Sequence, residues 1–269
     1  MISLDWKERL KIDTLDFYQR KLPLRDYDID IIYNAYPERI DSQVPHAVIT
    51  LVGKILASIM VKDADKYTDF FEYILKNKGE NGSIIFAYIM AKALKKNPDF
   101  FMDYIQKVLY SEHNQKACNL IMDKAMFPFL KKAPLQYLDI IMNWTKKNNS
   151  HLMVSIQKLL IKLITSDPKL ITPIFRKLET SWLYANQDMI KLNTSFLRSI
   201  YKTDRKFYLS VFNEYRSTRN PVFAQILSGS ICCYDKKIAE IVDNWTHSGN
   251  IRLKKIGLHS QKILSKKGR

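Results

Sequence analysis

Glycine is scarce in this chain. Only seven occur in 269 residues, and none lies between Gly82 and Gly229. Phosphate-cradling loops, dinucleotide fingerprints and tightly turned all-β folds need glycine for positive φ angles, so this stretch excludes them and points to helices. Cysteine is scarcer still: Cys118, Cys232 and Cys233. An odd count with two adjacent residues excludes a disulfide framework and predicts a reducing, cytoplasmic setting. The longest apolar run, Ile84 to Ala91, has eight residues, against the roughly 20 that span a bilayer, so no membrane partner is expected. The start of the chain shows no apolar h-region, and no signal peptide is expected either. Compact catalytic signatures are missing too: no Gly-x-Ser-x-Gly, His-Glu-x-x-His or Cys-x-x-Cys occurs.

Hydrophobic residues make up 46% and charged residues 26%, a globular balance that builds a core without metal or disulfide. The net charge of +16 is uneven. It runs from −2 over residues 1–50, through +2, +3 and +4 in the next three windows of fifty, to +9 over 201–269. Such a gradient suggests a polyanionic partner for the C-terminal half, although lysine-rich surfaces also serve solubility alone.

Helix breaks recur at a near-constant interval. Counted from Ala64 through Pro98, Pro134, Pro168, Arg205 and Lys236, the steps are 34, 36, 34, 37 and 31 residues. Asn or Asp before Pro reads as an N-cap followed by a first-turn residue, because proline has no N–H to leave unpaired there. A second break divides each unit, as at His113-Asn114, Lys147-Asn148-Asn149, Ala185-Asn186, Asn220-Pro221 and Gly249-Asn250. Two amphipathic helices per unit predict helical hairpins, with second helices near 81–96, 116–130, 151–166, 187–202, 221–233 and 251–266. Within 151–164, Leu152, Ile156, Leu159, Leu160 and Leu163 form an apolar stripe. Asn143-Trp144-Thr145 with Asn149 recurs 101 residues later as Asn244-Trp245-Thr246 with Asn250. Both Trp residues are expected to pack where a first helix ends.

Metal chemistry finds no support. Asp26-Tyr27-Asp28-Ile29-Asp30 opens like a calcium loop, but Ile31 and Pro37 stand where Gly and Glu are needed; these acids are expected to begin a helix. Cys232, Cys233, His247 and His259, spaced by 1, 14 and 12, match no zinc pattern. No cofactor and no metal are expected.

The clearest functional pattern is the last helix. Arg252, Lys255, His259, Lys262 and Lys266 recur at spacings of 3, 4, 3 and 4, one stripe about 80° wide on a helix. Leu253, Ile256, Ile263 and Leu264 form the neighbouring apolar face, and no acid occurs from Asn250 onward. Such a stripe can follow a row of phosphates or serve as the solvated cap a solenoid needs. Nucleic acid is the expected partner, DNA before RNA, with a protein-interaction scaffold as the alternative.

The period, the missing Trp-Leu-Gly-Tyr and Thr-Pro-Leu-His signatures, and Ile238 to Trp245 followed by Asn250 to Lys255 resemble HEAT repeats. The resemblance implies an all-α, right-handed α-solenoid of helical hairpins over 46–269, one continuous domain, with 1–45 as a helical cap. Basic charge and the Trp-turn-basic-helix pattern are further similar to the bacterial alkylpurine DNA glycosylases built from HEAT-like repeats. That likeness implies a cradle for duplex DNA and, for catalysis, an acid, an arginine and aromatic side chains. Asp123, Asp188, Trp182, Tyr184 and Arg198 are the candidates. Read from the residues alone, Asp123 is a surface acid paired with Lys124 or Lys116.

Overall fold

The computed structural model describes residues 5–33, 36, 43–146 and 149–268. Pro37 of the calcium-loop comparison, Lys147 and Asn148 of one expected break, and Arg269 lie outside the described residues. The protein is all-helical, with no β-strand among the described residues. It divides into two compact units, Met1–Lys132 and Ala133–Arg269.

The first unit opens with α1 (Trp6–Asp16), capped by the Asp5 carboxylate, and continues through a π-helical turn, Phe17–Lys21. Next come α2 (Asp30–Tyr33) and α3 (His46–Met60). The acids expected to begin a helix do so at Asp30. They also bind a cation, since Asp28 and Asp30 hold Lys78 at 2.6 and 2.7 Å. Its side chain is only 12% exposed. Burial works against that charge, but the two hydrogen bonds and the two negative charges outweigh it and raise the Lys78 pKa. Helices α4 (Thr68–Asn77) and α5 (Gly79–Ala93) form a hairpin. Gly53 allows α3 to approach α5 closely, since a Cβ there would stand 3.2 Å from the Cα of Ile85. A cluster of Phe70, Phe71, Phe86 and Tyr104 fills the core between these helices.

Helix α6 (Pro98–Ser111) begins as its sequence demands, with Asn97 accepting from the Phe100 N–H at 3.3 Å and Pro98 in the first turn. A continuous helical run follows: α7 (Gln115–Ile121), a π-helical turn Met122–Met126, and α8 (Phe127–Leu130). Its α7 and π-helical turn pack against α5. The register change falls just before Pro128, which has no N–H to give an α-helical ladder.

The second unit is more regular. Its first helices are α9 (Leu138–Trp144), α11 (Ile171–Glu179), α13 (Arg205–Glu214) and α15 (Lys236–Thr246); its second helices are α10 (Ser150–Ser166), α12 (Gln187–Thr203), α14 (Pro221–Ser230) and α16 (Ile251–Lys267). Second helices pack in series, α10 on α12, α12 on α14 and α14 on α16. Asn149, Asn186, Asn220 and Asn250 each cap a second helix through Oδ1, while Asp204 and Asp235 cap α13 and α15. The predicted stripe Leu152, Ile156, Leu159, Leu160 and Leu163 is wholly in the core.

Some expected boundaries move: α4 begins at Thr68, after a 3-10 turn at the expected start Ala64, and α14 ends at Ser230 rather than 233. The repeat spacing predicts a helix start at Pro134, but α9 begins four residues later, at Leu138. Ala133 precedes that proline, and alanine has no side-chain oxygen to cap a helix.

Trp144 and Trp245 close α9 and lie near the end of α15, and both are buried. Neither indole N–H has a hydrogen-bond partner. Trp182, in the short turn Trp182–Tyr184 before α12, donates its indole N–H to Asn193 Oδ1 at 2.8 Å. Asn193 stands seven residues after the cap Asn186. The same place after Asn250 is Gly257, where a Cβ would come within 2.6 Å of the Thr246 nitrogen. Helix α16 therefore lies directly against the end of α15.

Candidate nucleic-acid interface

The second unit separates its charge by helix. Eight of its nine acids belong to first helices, the segments leading into them, or their caps; Asp188 alone is on a second helix. The second helices together carry eleven Lys and Arg. On the first helices Asp139, Glu179 and Glu214 are engaged. Arg176 bridges Glu179 (2.9 Å) and Glu214 (2.7 Å), and Lys177 reaches Asp139 at 2.6 Å. Hydrogen bonds to Glu214 and then Glu179 raise the Arg176 pKa, so this guanidinium stays charged. The Tyr215 hydroxyl donates to Glu179 as well.

Small residues bring the second helices together. The Ser260 hydroxyl of α16 donates to Ser228 of α14 at 2.6 Å, and both are buried. Gly229 lies so close to α12 that a Cβ would meet the Thr194 methyl at 2.9 Å. Between α12, α14 and α16 a groove of about 690 Å³ remains. Lys191, Arg198, Arg252, Lys255 and His259 line it, and no acid does. The groove also lacks Phe, Tyr and Trp side chains; its remaining walls include Thr194, Ser195, Gln225 and Ile256.

The cations are positioned but mostly unneutralised. Arg198 Nε donates to the Gly229 carbonyl at 2.8 Å, at the C-terminal turn of α14, where helix carbonyls favour positive charge. Arg252 makes only a long contact with Gln225, 3.4 Å. No carboxylate pairs with Arg198, Arg252 or Lys255 among the described residues. Lys191 lies 3.4 Å from Asp188. The Asp188 pKa is lowered, first by the Ser150 hydroxyl at 2.6 Å and also by Lys191, so the acid stays ionised in the first turn of α12.

All five residues of the predicted C-terminal stripe are exposed, and Arg252, Lys255 and His259 face the groove. Lys262 and Lys266 continue the same helix beyond it. The apolar side of α16 differs in detail from the expectation. Leu253, Gly257, Ser260 and Leu264 are buried, whereas Ile256 and Ile263 are half-buried. Gly257 and Ser260 escape a search for apolar letters, but their spacing of 4, 3 and 4 with Leu253 and Leu264 is helical.

The residues implied by the glycosylase likeness are dispersed. Asp123 belongs to the first unit, inside the π-helical turn, paired with Lys124 at 3.0 Å; that hydrogen bond is the main cause of a raised Lys124 pKa. Trp182 is 0% exposed, edge-on to Phe175 and Phe223, and has no open ring face. Tyr184 is 88% exposed at the turn before α12. Of this group only Arg198 lines the groove. Lys191 was missed by sequence reasoning. Its signal was the spacing 191, 198 and 202 of the cations on α12, which keeps them near one face.

No group of His, Cys, Asp and Glu able to hold a metal ion occurs among the described residues. No helix among them is long and apolar enough to cross a membrane. No protein-family model, curated protein sequence or solved structure matches the chain.

Proposed function

We propose that the second unit is a short, right-handed HEAT-like solenoid that binds nucleic acid through its phosphates, with duplex DNA preferred to structured RNA. One observation carries the proposal: eight of the nine acids of this unit lie with its first helices, and Arg198 of α12 and Arg252 and Lys255 of α16, none paired with a carboxylate among the described residues, converge on one groove. Cations without a paired carboxylate are free to displace the counterions condensed on a polyanion, and that release drives association. The absence of Phe, Tyr and Trp from the lining supports a duplex over a single strand, because single-strand sites rely on bases stacked on rings. Lysine and arginine placed on phosphates carry no base information, so binding is sequence-independent. Base excision forms no part of the proposal, since Trp182 offers no face to a flipped base and Asp188 already serves Ser150 and Lys191.

The test is fluorescence anisotropy with a short labelled duplex and a hairpin RNA across a salt series. The Lys191→Glu/Arg252→Glu/Lys255→Glu variant keeps its fold, because all three side chains are exposed. It binds duplex more than tenfold more weakly at low salt, given the weight of each phosphate contact. Unchanged affinity places the binding surface elsewhere. No binding of either nucleic acid by the unmodified protein favours a protein-interaction scaffold.

A further inference from the structure

A second basic cavity lies beside the groove, between the turn that joins α13 to α14 and the turn that joins α15 to α16. It measures about 730 Å³. We propose that it is a phosphate site, and that its side-chain donors are Arg216, Arg219 and His247.

Charge is the first reason. Arg216 and Arg219 are exposed on the walls, no acid lines the cavity, and no carboxylate pairs with either arginine among the described residues. Two guanidinium groups beside an imidazole, with hydroxyls at hand, match the needs of a phosphate: forked donors and local positive charge. The Asp243 carboxylate lies 3.6 Å from His247 Nδ1. Its backbone carbonyl also lies 2.9 Å from Nδ1, which fixes the ring and leaves Nε2 for a ligand.

The second reason is preorganisation. The two turns are built alike. Thr218 Oγ1 accepts from the Asn220 N–H at 3.3 Å, and Ser248 Oγ accepts from the Asn250 N–H at 3.1 Å. Each asparagine then caps the following helix: Asn220 accepts from Val222 N–H, Asn250 from Arg252 and Leu253 N–H. The chain carrying Arg219 and the chain around Gly249 are therefore fixed before any ligand arrives. Gly249 leaves its side of the cavity open, since a Cβ there would meet nothing within 4 Å. Trp245, 2% exposed, forms part of the wall, and its indole N–H has no partner.

Continuity is the third. Asn250 and Leu253 border this cavity, while Arg252, Lys255 and Ile256 border the groove. The first turns of α16 thus separate the two, and a polyanion crossing that helix end meets both. Only this choice of nucleic acid as the phosphate source rests on the function proposed above; a free phosphate ester would use the same donors.

The experiment uses the full chain and two probes. Inorganic phosphate is titrated while the backbone amides of Ser248, Gly249 and Asn250 are followed by ¹H–¹⁵N NMR, and a labelled duplex is titrated across a salt series. Three proteins are compared: unmodified, Arg216→Ala/Arg219→Ala, and the groove variant Lys191→Glu/Arg252→Glu/Lys255→Glu. Phosphate shifts the three amides in the unmodified protein and in the groove variant, and not in the arginine variant. Arg216→Lys/Arg219→Lys restores part of the response, which separates lost charge from lost fold. The arginine variant also shows a salt slope smaller in magnitude by about 1 to 2, one contact each. Loss of the phosphate response with an unchanged duplex slope supports the site and assigns it to a free phosphate ester. The inference is overturned if phosphate leaves the unmodified amides unmoved and the arginine variant binds duplex with unchanged affinity and slope. Loss of duplex binding in the arginine variant alone, with the groove variant unaffected, upholds the cavity and refutes the groove.

Discussion

In the first unit 20 Lys and Arg stand against 18 Asp and Glu; in the second, 23 stand against 9. Both units are built of helices, with no strand among the described residues, so architecture does not account for the difference. What differs is the use of charge. In the first unit cations on helices that occupy the second place in a hairpin have local company: Lys92 donates to Ser58 at 2.6 Å, Lys124 pairs with Asp123, and Lys54 lies 5.5 Å from the centre of the Tyr88 ring. Lys78 goes further and is enclosed by two carboxylates. There the charges support structure. In the second unit Glu179, Glu214 and Asp139 satisfy Arg176 and Lys177 on the first helices, whereas Arg198, Arg252 and Lys255 pair with no carboxylate among the described residues. Net charge alone would not distinguish a solubilising surface from a binding one; pairing does.

The largest expected effects come from glycines at helix contacts. In Gly82→Ala the new Cβ would meet the Ile74 carbonyl oxygen, and in Gly257→Ala it would stand 2.6 Å from backbone nitrogen. Each substitution is expected to cost about 1–3 kcal/mol, the usual penalty for overpacking, measured by urea denaturation. Gly257→Ala also weakens duplex binding, because it displaces α16, whereas Gly82→Ala does not. Equal effects on binding would erase the distinction between the units. Gly249→Ala, with no neighbour within 4 Å, serves as the control for stability alone.

Lys78→Met comes next. It leaves Asp28 and Asp30, both more than half exposed, without their cation. Their solvent access limits the loss to about 1–2 kcal/mol, below that of a fully buried pair. Arg252→Met is expected to change stability by less than about 0.5 kcal/mol, as surface substitutions do, while weakening duplex binding. A stability loss for Arg252→Met equal to that for Lys78→Met would mean that the groove cations are structural.

The same contrast has a pH signature. The folded-state pKa of Lys78 is raised. Its contribution to stability is therefore fully present below the unfolded lysine value, about 10.4, and is lost as pH rises through the folded value. Denaturation from pH 9 upward should show an alkaline loss that Lys78→Met lacks. Asp188 has the opposite sign. Its depressed pKa contributes stability above the unfolded value, about 3.9, which is lost as pH falls through the folded one.

The smallest effect is a gain. Asp188 is the single acid on the second helices of the second unit. Asp188→Asn is expected to tighten duplex binding about two- to fivefold at low salt, since a surface charge is worth roughly 1 kcal/mol or less. Weaker binding in that variant would mean that Asp188 positions Lys191 rather than opposing the ligand.

Much of the fold is legible because helix starts carry their own chemistry. Asn149, Asn186, Asn220 and Asn250 announce the second helices, and each accepts the expected N–H. Ala133-Pro134 misleads because a proline with no capping oxygen before it is only half of a start signal. The π-helical turns at Phe17–Lys21 and Met122–Met126 leave no trace in apolar periodicity, since one added residue per turn is a small change over five positions. Half of the groove is legible as well. Arg252, Lys255 and His259 are on one helix, and their spacing reveals the stripe. Lys191 and Arg198 are more than fifty residues away in sequence, and only packing of α12 on α14 and α14 on α16 brings them opposite. That packing depends on Thr194, Ser228, Gly229 and Ser260, small residues that no search for hydrophobic stripes would select.

The most direct test of the account is the salt dependence of duplex binding by the unmodified protein. Arg198, Arg252, Lys255 and Lys191 supply up to four phosphate contacts in the groove, and Arg216 and Arg219 up to two more in the neighbouring cavity, so a plot of log K against log salt concentration should be linear with a slope of about −4 to −5. The slope should be the same for duplexes of unrelated sequence. A slope near zero, or no binding in low salt, would contradict the claim that these cations form a nucleic-acid surface.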